Sequence, residues 1–166
     1  MPKRQSVIAD MIDGAIAGAI ATWVMGKVTT AMYEHEDTSA RQREDNARDG
    51  KTAYDIAAEK AASLIGTQLS DAERNHYGQA IHWALGVGAG ALFGALRPRS
   101  DTTSVAGGLL FGAAFWLVMD ETVTPALGLT KGPAAFPWQT HARGLAGHLV
   151  FGTVANTALA AIQPSA

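Results

Sequence analysis

The chain has 166 residues, a formal net charge of −2 and no cysteine. The missing thiols exclude disulfides, thiolate nucleophiles, iron–sulfur ligation and cysteine-type zinc sites. With no dense Lys/Arg patch to neutralise phosphates, nucleic acid is not an expected partner, and at this length one domain, 1–166, is expected.

The mean hydropathy of +0.05 conceals long apolar runs, because a polar insert over 34–76 dilutes them. The first run, Gly14 to Tyr33, is interrupted only by Lys27 and predicts a membrane span over about 13–33. Lys3 and Arg4 would suit the basic start of a cleavable signal peptide, but Asp10 and Asp13 stand where its apolar core should begin, so none is expected. The insert opens with Glu34 to Asp49, dense in mixed charge and without apolar period, which reads as a solvated loop or helical extension. His35, between Glu34 and Glu36, reads as part of a solvated charge cluster. Ala53, Tyr54, Ala57, Ala61, Leu64 and Ile65 then fall on one helical stripe, and Thr52 with Asp55 forms a capping box. This predicts an amphipathic helix outside the membrane, resting on the bilayer or on the bundle.

Ser70-Asp71-Ala72-Glu73 is a second capping box, so the next helix starts in water and crosses the membrane over about 77–96, ending at Arg97-Pro98-Arg99. A third span is expected over about 102–124, with Pro125 stopping or kinking it. Ala126 to Thr140 carries Gly128, Gly132, Pro133 and Pro137 and reads as irregular chain, with Phe136 and Trp138 suited to an interfacial aromatic belt. A fourth span follows over about 141–162. Tyr77 to Leu96, Thr102 to Met119 and Gly144 to the C-terminus contain no Asp, Glu, Lys or Arg, and roughly 20 helical residues cross a bilayer core. Helices of a soluble bundle would need a polar stripe, which Ala84 to Leu96 and Val105 to Met119 lack. The fold class is therefore all-α: an integral membrane four-helix bundle with an extramembrane amphipathic helix between spans one and two, and the lipid bilayer as its first partner.

Short flanks set the orientation. Lys3 and Arg4 precede span one, and Arg97 and Arg99 fill the turn between spans two and three; the positive-inside rule puts both regions, and both termini, in the cytoplasm. Arg41, Arg43, Arg48, Lys51, Lys60 and Arg74 on the opposite side lie in a longer insert balanced by acids, and they weaken the rule.

Glycine spacing is the clearest local motif. Gly86, Gly90 and Gly94 form a smooth stripe, repeated by Gly14 with Gly18, by Gly108 with Gly112, and by Gly144 and Gly152 around His148. Such stripes let helix backbones approach closely. Packing within one chain is the favoured use; a homo-oligomer or larger membrane complex would use the same faces. Imposing four alternating spans brings Lys27, His82, Asp120, Glu121, His141 and His148 toward one membrane side. Ionisable groups at that depth are costly and face protein, water or each other. Three readings compete: local structural pairing, with Lys27 snorkelling or meeting Asp120 or Glu121; a proton or cation pathway; and a metal or catalytic site, which no HExxH-like spacing supports. No nucleophile elbow or phosphate loop is present. Neither cofactor, metal nor enzymatic activity is expected.

These pieces in this order resemble the YagU-type family of small bacterial inner-membrane proteins. The likeness is carried by Gly14-Ala15-Ile16-Ala17-Gly18-Ala19, His76-Tyr77-Gly78, Phe93-Gly94-Ala95-Leu96, Pro125-Ala126-Leu127-Gly128-Leu129, Phe136-Pro137-Trp138 and Gly147-His148-Leu149-Val150-Phe151-Gly152. The resemblance implies a helical protein of the bacterial inner membrane and lends no reaction, substrate or catalytic residue. The expected role is a membrane scaffold or accessory subunit; the alternative is a proton or cation transporter component using the ionisable layer.

Overall fold

The computed structural model describes residues 6–97 and 105–163. Lys3, Arg4, Pro98, Arg99 and the expected start of span three at Thr102 lie outside the described residues. The chain is all-α, and four helical segments are long and apolar enough to cross a membrane: Val7–Glu34, Asp71–Leu96, Val105–Ala126 and Trp138–Ile162. This is the architecture of a multi-pass membrane protein.

Helix α1 (Val7–Glu34) starts earlier than its uncharged run, because Ser6 caps it by accepting from the Ala9 N–H at 3.2 Å. Its early acids are not left in hydrocarbon: the Gln163 amide, beyond the last helix, donates to Asp13 at 2.7 Å and to Asp10 at 3.3 Å. Helix α2 (Thr38–Arg48) occupies the segment expected to be solvated. It folds onto the bundle because Ala40, Glu44 and Ala47 fall at helical spacing on one buried face. Helix α3 (Ala53–Leu64) has the expected Thr52–Asp55 capping box, and α4 (Asp71–Leu96) has the Ser70–Glu73 box. The buried face of α3 is not the anticipated stripe: Asp55 and Ala58 beside it are buried, Ala53, Tyr54 and Ala57 are half-buried, and Ala61, Leu64 and Ile65 are exposed.

Span three comprises α5 (Val105–Val118), one wide π turn (Met119–Val123) and the single turn α6 (Thr124–Ala126). The helix thus passes through Pro125 instead of stopping there. Pro125 cannot donate to the carbonyl of Glu121, and the π register accommodates this, with the Thr124 N–H reaching Met119 O. Thr124 Oγ1 donates to the bypassed Asp120 carbonyl at 2.9 Å, and Thr122 Oγ1 donates to Leu117 O at 2.9 Å. The link to α7 (Trp138–Ile162) turns at Gly128 (φ +63°) and contains a short 3₁₀ turn, Pro133–Ala135.

Two glycine seams hold the bundle. Along α1 and α4, a Cβ on Gly90 would lie 2.5 Å from Gly18 Cα and collide with Gly14 O, and one on Gly18 would lie 2.6 Å from Gly86 O. Gly94 packs on Asp10 O and Gly14 in the same way. Along α5 and α7, a Cβ on Gly108 would lie 2.5 Å from Gly152 O, and one on Gly112 would collide with the His148 carbonyl. α1 also packs along α7, so the sequence of neighbours is α4, α1, α7, α5. α4 and α5 meet chiefly ring to ring, Phe93 against Phe111 at 4.8 Å. Phe115 and Phe151 continue this aromatic core. Above it, the N-terminal end of α3 wedges in beside α4, placing the Tyr54 ring 4.8 Å from His82.

Candidate functional site

At the end of the bundle that carries the insert, the helices splay around a cavity of about 480 Å³. α1 supplies Thr29, Thr30 and Tyr33, α2 supplies Glu44 and Arg48, and Tyr54 comes from α3. Trp116, Asp120 and Glu121 come from span three, and Thr140, His141, Arg143 and Gly144 from the first turns of α7. A second space of about 40 Å³ lies deeper, between His82 of α4, Phe115 and Asp120 of span three, and His148 and Phe151 of α7. Tyr54, Asp120 and Thr124 line both, so they form the partition between an outer vestibule and an inner chamber. The Phe93, Phe111, Phe115 and Phe151 rings and the glycine seams close the bundle beneath.

Five of the six ionisable residues expected in one layer meet here. Glu121 Oε1 lies 2.6 Å from His141 Nδ1, while His141 Nε2 faces the Pro133 carbonyl at 3.1 Å. His148 lies about two helical turns deeper along α7: its Nδ1 is 2.9 Å from the Gly144 carbonyl, which fixes the proton on that nitrogen as donor. The same nitrogen is 3.7 Å from Asp120 Oδ2, beyond hydrogen-bond range. Asp120 accepts no hydrogen bond from the described residues, and the π turn presents it and Glu121 side by side to the cavity. His82 faces the inner chamber against Tyr54. Lys27 is the exception. It is exposed on the outer side of α1 and makes neither hydrogen bond nor ion pair among the described residues, so of the two expected arrangements, snorkelling or pairing with Asp120 or Glu121, the pairing does not form. No group of three or more His, Asp or Glu is placed to hold a metal ion among the described residues.

The strongest electrostatic feature was not anticipated. Arg143, buried about 8 Å into α7 at 1.5 Å per residue, binds Glu36 through Nη1 and Glu44 through Nη2, the latter at 2.5 Å. It also covers the Tyr33 ring at 5.0 Å. Glu44, itself fully buried, further accepts from Arg48 at 2.6 Å and from the Thr140 hydroxyl at 2.8 Å. Burial pushes the Glu44 carboxyl up, but the Arg143 hydrogen bond, the Arg48 charge and the Thr140 hydroxyl outweigh it and hold the group below its ordinary 4.5. Glu36 is thereby a structural partner and not part of a solvated cluster; His35 beside it is exposed, with Nδ1 on the Ala31 carbonyl at 2.7 Å. The signal was available: Arg143 already lies inside the span expected over about 141–162, and an intramembrane arginine demands a named partner. Tyr54 is the other missed residue. Burial, with the nearby Asp120 charge, pushes its phenol up to about 12, so the partition keeps a neutral hydroxyl across physiological pH.

The Gly14, Gly18, Gly86, Gly90, Gly94, Gly108, Gly112 and Gly152 positions are occupied by packing within the chain. Gly144 differs: a Cβ there would lie 3.0 Å from Trp116 Nε1 and 3.5 Å from Asp120 Oδ2, so its lack of a side chain leaves room for these two side chains of span three to pack against α7. Comparison of the chain with family models, curated proteins and solved structures gave no match.

Proposed function

We propose that this chain is a non-enzymatic membrane protein, of the YagU-type kind in the bacterial inner membrane, that takes up a proton or cation from one membrane face. The observation that carries this reading is Asp120: a carboxylate on the partition between vestibule and inner chamber, without a hydrogen-bond donor, and followed inward by His148 and His82. Carboxylate and imidazole groups in series at membrane depth are the elements of proton and cation relays. Reconstituted in liposomes, the chain is expected to support proton or monovalent-cation flux that Asp120→Asn abolishes while helix content is retained. Flux equal in the variant, or absent from the parent, overturns the reading.

The closed glycine-packed half favours a second role on top of the first, that of an accessory subunit. Beneath the vestibule the described bundle is packed by aromatic rings and glycine seams, so transfer through the whole membrane would draw on a partner subunit or a second conformation. Purification from native membrane in mild detergent as a stoichiometric larger complex supports this; recovery as a single species that conducts by itself removes it.

A further inference from the structure

The partition between vestibule and inner chamber is not built by the four spans alone. Tyr54, which lines both spaces together with Asp120 and Thr124, comes from the insert. The Thr52–Asp55 capping box sets its position. Thr52 Oγ1 accepts from the Asp55 N–H at 3.2 Å, and Asp55 Oδ2 accepts from the Thr52 N–H and hydroxyl, both at 2.8 Å. That box is pressed onto α4, where a Cβ at Gly78 would lie 2.7 Å from Asp55 Oδ1. Further along α3, Glu59 meets Arg74 at 3.3 Å and Lys60 donates to the Leu127 carbonyl at 2.7 Å, tying the helix to α4 and to the end of span three. The second residue of a clamped helix is thereby carried to His82, its neutral phenol ring 4.8 Å from the imidazole.

Size and ligand chemistry differ on the two sides of that ring. About 10–15 Å³ of free space takes one water, so the vestibule of about 480 Å³ admits a hydrated cation, whereas the chamber of about 40 Å³ holds about three waters. A hard cation gathers roughly six oxygen ligands, and one stripped of its water finds few beyond the Asp120 carboxylate. The Thr22 hydroxyl is donated to Gly18 O at 2.7 Å and the Thr124 hydroxyl to Asp120 O at 2.9 Å. His82, His148, Met25 and Met119 offer nitrogen and thioether sulfur, and the rest of the wall is largely apolar. A proton needs no such shell. His148 holds its Nδ1 hydrogen on the Gly144 carbonyl, so Nε2 is its accepting nitrogen. A proton arriving on Asp120 passes through chamber water to that Nε2. It leaves a carboxylate and an imidazolium whose Oδ2 and Nδ1 lie 3.7 Å apart, close enough for each charge to stabilise the other.

We infer that Tyr54 is the selectivity element of this site: it stops hydrated metal cations in the vestibule and leaves the proton as the ion that reaches the His148 and His82 imidazoles. This rests on the uptake reading above and narrows its ion to the proton. The test reconstitutes the full chain in liposomes and follows, in separate assays, proton entry with an internal pH dye and rubidium entry with a radioactive tracer. The parent and Tyr54→Phe, which keeps the ring, are expected to pass protons and to hold rubidium to the level of empty liposomes. Tyr54→Ala joins the two spaces and admits rubidium above that level (Tyr54→Val replaces it if helix content falls). N-methylglucamine stays excluded, and the gain is lost again when Asp120→Asn is added, which a bundle loosened at large would not show. Asp120-dependent rubidium entry in the parent overturns the proton assignment and leaves the uptake reading standing. Rubidium exclusion retained by Tyr54→Ala while proton entry continues, or a rubidium leak that survives Asp120→Asn, overturns the role of Tyr54. No Asp120-dependent entry of either ion overturns the uptake reading itself.

Discussion

Arg143 shows why a buried ion network is informative at the level of single residues. Its charge is compensated by Glu36 and Glu44, and the alkyl stem and guanidinium cover Tyr33. Removing one partner of a buried pair leaves an uncompensated charge, which typically costs about 3–5 kcal/mol. Arg143→Met is therefore expected to lower unfolding stability in detergent by about that amount, with Arg143→Lys recovering only part, since an ammonium cannot span two carboxylates as a planar guanidinium does. The double variant Glu44→Gln with Arg143→Met should recover a substantial fraction, and additive losses would contradict coupling. The pH dependence has a defined sign. The Glu44 carboxyl is held below its ordinary 4.5 in the folded chain, so the unfolded chain binds its proton first as pH falls. Its stabilisation is full above about pH 4.5 and is lost as pH drops toward the folded value. Glu59, lowered by its hydrogen bond from Lys51 and by Arg74 despite some desolvation, contributes with the same sign. Thermal unfolding followed from pH 6 to pH 3 should show a falling midpoint below pH 4.5, and Glu44→Gln should flatten that fall.

Between elements, stability comes from close backbone approach, because lipid offers no hydrophobic drive for helix association. The α1–α4 and α5–α7 seams make this testable by comparing glycines on one helix. A methyl group at Gly90 has no room, with Gly18 Cα at 2.5 Å and Gly18 N at 2.7 Å, whereas one at Gly88 meets nothing within 4 Å. Gly90→Ala should destabilise by about 1–3 kcal/mol, the usual cost of overpacking. Gly88→Ala should be neutral or stabilising by up to about 1 kcal/mol from helix propensity. Equal responses in an unfolding titration would refute the seam. The spans, both capping boxes and the glycine seams were legible in the sequence, because each rests on local spacing: apolar length, an S/T-x-x-D/E pair, or small residues four apart. The convergence of Asp120, Glu121, His82, His141 and His148 was also legible once alternation was imposed. Helix α2 was not, because its buried face is Ala40, Glu44 and Ala47, and a glutamate reads as solvent-facing until Arg143, 99 residues away, is known to meet it. The π turn was hidden for a similar reason: Pro125 announces a disturbance, and only the hydroxyls of Thr122 and Thr124 make a widened turn cheaper than a break. Lys27 misled, since sharing a depth with Asp120 says nothing about sharing a face.

For the molecule as a whole, the layout is polarised along the membrane normal: the insert, the vestibule and the Arg143 network gather at one end, and glycine seams and aromatic rings fill the rest. Which compartment the vestibule opens to is consequently a functional question, since it fixes where the ion comes from. Four crossings put both ends of the described chain on the side away from the cavity. The basic flanks Lys3, Arg4, Arg97 and Arg99 favour the cytoplasm for that side. The opposing cations of the insert are largely tied down by acids: Arg48 on Glu44, Lys51 on Glu59, Arg74 on Glu59 and Asp71. The expected arrangement therefore has the cavity facing outward. The absence of cysteine allows a clean test, because single cysteines introduce the only reactive thiols. Leu64, exposed at the tip of α3, and Ile162, at the far end of α7, lie on opposite sides. In intact cells a membrane-impermeant maleimide should label Leu64→Cys and leave Ile162→Cys unlabelled until the membrane is permeabilised. The reverse pattern would turn the vestibule toward the cytoplasm and make the cell interior the source of whatever meets Asp120.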